Sequence, residues 1–134
     1  MKYKSFKIRL EPNESQIKSF NGHAGVSRHA YNIGLNYCNE LYEKGLNTPN
    51  AIALHKWLVL DIKKENKWYY DYSKCSPQQA LRDLYEAFRN FHKLQGKSKY
   101  SLKDRKGRLK GLPNFKRKGR RDSFYLEGAI RIEG

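Results

Sequence analysis

Two cysteines, one methionine and four prolines are all that a chain of 134 residues carries of those types. Cys38 and Cys75 stand far apart, with no CxxC or CxxH beside either. That spacing writes neither a disulfide framework nor a zinc knuckle, and leaves two reduced thiols in a cytoplasmic protein as the default. Long apolar runs are missing. Nothing approaches the roughly 20 consecutive residues of a membrane span, and Met1 to Glu11 lacks the apolar stretch of a secretory signal. Acidic residues are scarce, with 13 Asp plus Glu against 28 Lys plus Arg. They are also scattered: Asp61, Asp71, Asp83 and Asp122 form no set that would converge on an ion. His23, His29, His55 and His92 have no ligand spacing and read as surface or core-edge residues. No Ser-His-Asp or Cys-His grouping can be argued from their order. The sequence thus predicts no catalytic residue, no metal ligand, no cofactor and no small-molecule substrate.

What is present in excess is positive charge. The formal net charge is +15 and the sequence pI is near 9.9. A field of that sign draws polyanions, and nucleic acid is the commonest. Counterion release would make such binding salt-sensitive. A membrane surface is the rival partner, but it needs an amphipathic helix with a basic polar face. None is evident, so no membrane partner is expected.

Phe6, Ile8 and Leu10 alternate with Ser5, Lys7 and Arg9, the period of a half-buried strand that ends at Glu11-Pro12. Asn13 can cap a helix with Gln16 closing a capping box. Ile17 and Phe20 supply its apolar face, and Gly22 and Gly25 bracket a turn. A second helix is expected over Val26–Lys44, where Val26, Ala30, Ile33, Tyr37 and Leu41 share a face and Gly45 stops it. Asn47-Thr48-Pro49-Asn50 is a loop. Ile52, Val59 and Ile62 mark one face of a third helix, with Trp57 and Leu58 available to the core. Trp68 to Tyr72 is an aromatic, irregular connector. The last helix starts at Ser76 as N-cap, with Pro77 at its first position and Gln79 at its third. It runs to His92 or Leu94, with Leu81, Leu84, Phe88 and Phe91 on one side. Between Lys93 and Arg121 the only acid is Asp104, and four glycines break any period. A mobile basic loop is expected there. Ser123 to Leu126 and Ala129 to Glu133 read as short strands.

Two stretches carry binding chemistry. Phe115-Lys116-Arg117-Lys118-Gly119-Arg120-Arg121 sets an aromatic beside a dense basic run, suited to phosphate neutralisation plus base stacking. The plainer alternative is a polybasic segment that touches any polyanion. The start of the Ser76 helix is the second. Its first-turn N–H groups can dock phosphate, with Lys74 just before it and Gln78 able to address an adenine edge. The plainer alternative for Gln78 is a solvated first-turn residue.

Several of these pieces resemble, in order, the opening of the TnpB (OrfB) proteins of the IS200/IS605 and IS607 insertion sequences. They are Phe6-Lys7-Ile8-Arg9-Leu10-Glu11-Pro12 with Gln16, then Gly25-Val26-Ser27-Arg28-His29-Ala30-Tyr31-Asn32. Next come Gln79-Ala80-Leu81-Arg82-Asp83-Leu84 through Phe91, and Leu112-Pro113-Asn114-Phe115-Lys116-Arg117-Lys118 with Ser123-Phe124. The resemblance implies the front part of an RNA-guided DNA endonuclease, gripping DNA and a guide RNA and reading a short motif beside its target. It implies that Lys74 and Gln78 contact that motif, with Asn50 a looser match, while Lys116, Arg117, Lys118, Arg120 and Arg121 hold phosphate. The family's nuclease acids and zinc ribbon lie beyond the stretch that matches, so the chain is expected to be a truncated frame or fragment that binds without cutting.

The expected fold is α+β and mainly helical. A strand over 1–12, a helical helix-turn-helix-like domain of about four helices over 13–95, a basic loop over 96–122 and one or two strands over 123–134 would form part of an incomplete wedge β-barrel. Two alternatives stand beside the leading function. One is a stand-alone helix-turn-helix regulator built on Glu14–Asn21 and Val26–Lys44. The other is one part of an endonuclease completed by a second chain.

Overall fold

The computed structural model describes residues 2–97, 109 and 111–128. The first helix is one rod, α1, Glu14–Glu43. Asn13 starts it: its Oδ1 accepts the Gln16 N–H at 2.9 Å, and the Gln16 Oε1 accepts the Asn13 N–H at 2.9 Å. At its far end Gly45 takes φ +73°, donating to Tyr42 O at 3.0 Å while Leu46 donates to Leu41 O at 2.9 Å. This is the paired Schellman bonding that ends a helix on a left-handed glycine.

The expected turn at Gly22 and Gly25 is absent; both lie inside α1. An interior glycine costs a helix up to about 1 kcal/mol, and close packing offsets that cost. A Cβ on Gly22 would sit 2.2 Å from the Tyr72 ring. One on Gly34 would meet Leu84 at 2.8 Å and Leu81 at 2.9 Å. These glycines mark where the chain comes against α1, not where α1 bends.

Asn50 caps α2, Ala51–Trp57, accepting the Ala53 N–H at 2.8 Å. A π-helical turn, Leu58–Ile62, joins it to the short α3, Lys63–Glu65. Here the expected face is corrected. Leu54 and Leu58 are fully buried, while Ile52 is 70% exposed and Val59 39%. In the π turn the Lys63 N–H reaches Leu58 O, one residue further than in an α-helix. The wider turn carries Lys63 into the interior, beside a half-buried Ile62 that packs on the core as expected.

A 3-10 turn, Lys67–Asp71, buries Tyr69 and leads to α4, Cys75–Lys97. The face predicted for α4 is the one it buries: Leu81, Leu84, Phe88 and Phe91 are at most 1% exposed. Gly34 meets Leu81 and Leu84, while Tyr42 meets Phe91 and donates to Gln95 at 3.1 Å. The two long helices therefore run side by side in the same direction, with α2 and the π turn returning between them.

The α+β fold with an incomplete wedge barrel is corrected: among the described residues there is no sheet or barrel, only a lone bridge at Leu109. Residues 2–12 carry the alternation of a strand but pair with no neighbour, leaving Phe6 80%, Ile8 68% and Leu10 66% exposed. Alternation marks an apolar face, but a ladder also needs a partner. Residues 123–128 are not a strand either; their side chains fasten them, as described below. The strand expected over 129–133 and most of the basic loop (98–108 and 110) lie outside the described residues.

Candidate nucleic-acid interface

Residues 111–121, expected within a mobile loop, are instead the first part of a strap laid over α1. Pro113 is buried and Leu112 half-buried against the core. The Asn32 side chain then holds the Lys116 backbone on both sides, donating to its C=O at 2.9 Å and accepting its N–H at 2.7 Å. The Lys116 ammonium lies 4.6 Å from the Tyr31 ring centroid, a cation–π contact. Beyond it the chain turns tightly, with Gly119 at φ +78° and Arg121 at φ +55° and Arg120 donating to Arg117 O at 3.3 Å. The strap continues as Phe124 packs on Phe20 and His23, and the Ser76 hydroxyl donates to Tyr125 O at 3.2 Å.

One carboxylate organises the turn. Asp122 accepts the Gly119 N–H at 3.0 and 3.2 Å and pairs with Arg28 of α1 at 3.1 Å. Among the described residues none of the cations at 116, 117, 118, 120 and 121 has a carboxylate partner. Phe115, 53% exposed, joins Lys116, Arg117, Arg120 and Arg121 around an open groove of about 750 Å³. Four of the five basic residues proposed from the sequence therefore line one groove, and Lys118 lies on the same turn without lining it. Replacing Asp122 with Ala is expected to cost about 1 kcal/mol, because it removes a half-exposed ion pair and a turn-capping acceptor. Amide exchange at Gly119 and Arg120 should speed up far more than exchange in α1.

The second candidate region differs from expectation in its backbone. Helix α4 begins at Cys75, so Ser76 is not the N-cap; it is fully buried and spends its hydroxyl on the strap. The Cys75 N–H donates to Ser73 Oγ at 3.2 Å, Ser76 to Ser73 O at 3.3 Å and Gln78 to Lys74 O at 3.2 Å. Pro77 has no N–H. The first-turn amides are thus engaged, which takes away the phosphate site expected on them. Lys74 is exposed and Gln78 half-buried, and neither side chain bonds to another described residue. Asn50 is exposed, but its Oδ1 is committed to capping α2, which leaves only its NH₂ for a contact.

Beside Lys74 lies a cationic cluster that the sequence did not reveal. Lys63 is 5% exposed, with no carboxylate partner among the described residues and its ammonium 5.6 Å from the Tyr70 ring centroid. Burial, then the charge of Lys74, pulls its pKa below the ordinary lysine value. His55 keeps Nδ1 buried without a hydrogen-bond partner. Burial first, then Lys63, Lys74 and Arg82, holds its pKa below the ordinary 6.5. Positive charge gathers here with no ion-paired carboxylate among the described residues. The strap links the two regions, since Lys116 and Ser76 line one cleft of about 270 Å³.

The other histidines are committed to structure. His23 accepts the Ser73 N–H at Nε2 and donates from Nδ1 to Ser19 O at 2.8 Å. His29 Nδ1 bonds the Tyr69 hydroxyl, and His92 Nε2 the Thr48 hydroxyl. Burial of Cys38 pushes its thiol up to about 12, far from a thiolate ligand. Among the described residues no group of His, Cys, Asp and Glu is placed to hold a metal ion. Nor is any described helix long and apolar enough to cross a membrane.

Residues 1–47 match the family HTH_OrfB_IS605, a helix-turn-helix domain. The whole chain is similar to InsQ of Escherichia coli (strain K12), which is named as an RNA-guided DNA endonuclease. Identity is 26% over 130 residues, covering 96% of this chain and 29% of InsQ. The chain thus spans less than a third of that relative's length. The resemblance to the TnpB (OrfB) proteins read from the ordered motifs agrees with both matches.

Proposed function

We propose that this OrfB-like chain is a nucleic-acid-binding module of a transposon-encoded, TnpB-type protein, and that it holds DNA and a guide RNA without cutting them. The observation that carries this reading is the groove at 115–121, where four cations with no carboxylate partner among the described residues stand beside an exposed phenylalanine on a backbone clasped to α1. Fixed cations neutralise phosphates at low ordering cost, and an exposed aromatic offers a stacking face. Sequence reading falls to Gln78 and Lys74 at the start of α4. Lys63, Arg82 and His55 support them by attracting a phosphate to the same face. Asn50 stands apart from this site, at the N-terminal end of α2 next to Thr48, which bonds His92 far along α4.

The experiment is a binding titration with duplex DNA and structured RNA at several salt concentrations. Affinity should fall linearly on a log–log plot, with a slope set by the number of phosphates engaged. A salt-independent affinity would sink the reading. Adding magnesium should leave the DNA intact.

The rival reading, a stand-alone helix-turn-helix regulator, needs two helices meeting at an angle, the second seated in a groove. Residues Glu14–Glu43 form one rod instead, so no separate recognition helix exists there.

A pH dependence follows from the two depressed histidines. His29 and His55 both titrate below 6.5 in the fold because burial disfavours their charged forms. Between the folded value and 6.5 the unfolded chain binds more protons. Their stabilisation is therefore complete above pH 6.5 and is lost as pH falls through that window. The urea midpoint should be lower at pH 5.5 than at pH 7.5. Bound polyphosphate, by neutralising the field at His55, should narrow that gap.

A further inference from the structure

We infer that the cavity between α1 and the 3-10 turn takes an unpaired nucleobase of a single-stranded nucleic acid. The inference rests on the reading that the basic turn holds phosphates, and adds a site to it. The cavity is open, with a volume of about 630 Å³, within the range of small-ligand pockets. Trp68, 39% exposed, is its aromatic wall. The indole is stacked on Tyr69 at 4.4 Å and 16°, and His29 braces it at 4.9 Å and 75°. His29 is itself fixed by the Tyr69 hydroxyl. A wall locked in this way loses little freedom when a planar ring stacks on it. Gly22 admits the Tyr72 ring as the cavity's far side, since a Cβ there would collide with that ring.

The rim identifies the occupant. Arg28 and Asn32 line this cavity and also seat the basic turn, Arg28 through Asp122 and Asn32 through the Lys116 backbone. A strand whose phosphates follow Lys116 to Arg121 therefore passes the cavity mouth. A base on that strand brings a flat apolar face and a polar edge. Asp71, on the lining, is an acceptor for the Watson–Crick-edge N–H donors that an unpaired base exposes. Duplex DNA keeps its bases stacked and would not enter.

The test uses the whole chain carrying Trp57→Phe, so that Trp68 is the sole indole. Its fluorescence is followed during titration with an unstructured adenine-rich RNA, the same sequence as DNA, and a blunt duplex. Saturable quenching by the single strands and none by the duplex is expected; quenching by one of the two identifies the natural source. In otherwise unaltered protein, Trp68→Ala should weaken single-strand binding about tenfold and leave duplex affinity unchanged. Trp68→Phe should retain most of it, and Asp71→Asn should weaken single-strand binding while sparing the duplex. A cooperative melt of each variant checks folding. Unquenched Trp68 with strand bound, or equal losses for strand and duplex, overturns the base site alone. Failure of every nucleic acid to bind the unaltered chain overturns the parent reading and this one together.

Discussion

Replacing Lys116, Arg117, Arg120 and Arg121 together with Gln is expected to weaken duplex binding on the order of a thousandfold at 0.1 M salt, with all four charges on phosphates. Each phosphate neutralised contributes about 0.9 to the log–log salt slope, so the slope should flatten by roughly 3 to 4. Glutamine keeps a polar, hydrogen-bonding side chain, so most of the loss reports charge. The fold should survive. The Lys116 backbone stays clasped by Asn32, the Asp122–Arg28 pair is untouched, and Gly119 still donates to Asp122. The control is Arg89→Gln, because Arg89 is already paired with Glu86 at 3.2 Å on an exposed face of α4. A loss from Arg89→Gln equal to about a quarter of the fourfold variant's loss in log affinity would mean that net charge alone, and not the groove, holds the polyanion. Fluorescence anisotropy at three salt concentrations decides between them.

How much of this was legible in the sequence follows from how local each determinant is. Asn13 with Gln16, Gly45 and the Leu81–Phe91 face are each set by residues a few positions apart, and each stands where the pattern placed it. Gly22 misled because a glycine that admits a neighbour and a glycine that makes a turn are written with the same letter, and Gly34 is a second glycine of the first kind. The neighbours, Tyr72 for one and Leu81 and Leu84 for the other, lie far along the chain. Lys63 was hidden by a single wide turn: a one-residue change of helical register swaps which side chain enters the core. The strap was hidden by distance, since Asn32 and Lys116 are separated by 84 positions. The basic residues could be read as nucleic-acid ligands from charge alone. That they form a fixed groove depends on Asn32, Arg28 and Asp122, whose pairing no periodicity encodes.

Phe88→Ala separates fold from charge at the other extreme. The ring is fully buried, packed edge-on against Phe91 at 6.3 Å and beside His92 at 6.1 Å. Removing it leaves a cavity on α4 that the neighbouring helices fill only in part, at a cost of about 3–5 kcal/mol. Domains of this size hold roughly 5–15 kcal/mol in total, so most of the margin goes. The melting midpoint should drop on the order of 20 °C. Phe88→Leu keeps most of the volume and should recover the larger part of that loss. The consequence for binding is the informative one. The cations at 116–121 remain on the chain when α1 and α4 loosen, so a steep salt slope should persist above the variant's midpoint. What should vanish is discrimination between base sequences, because Lys74 and Gln78 lose the helix start that positions them. A variant that kept its selectivity while unfolded would show that the helical scaffold is dispensable for recognition. Selectivity lost in step with circular dichroism at 222 nm would place recognition in the fold and affinity in the charge.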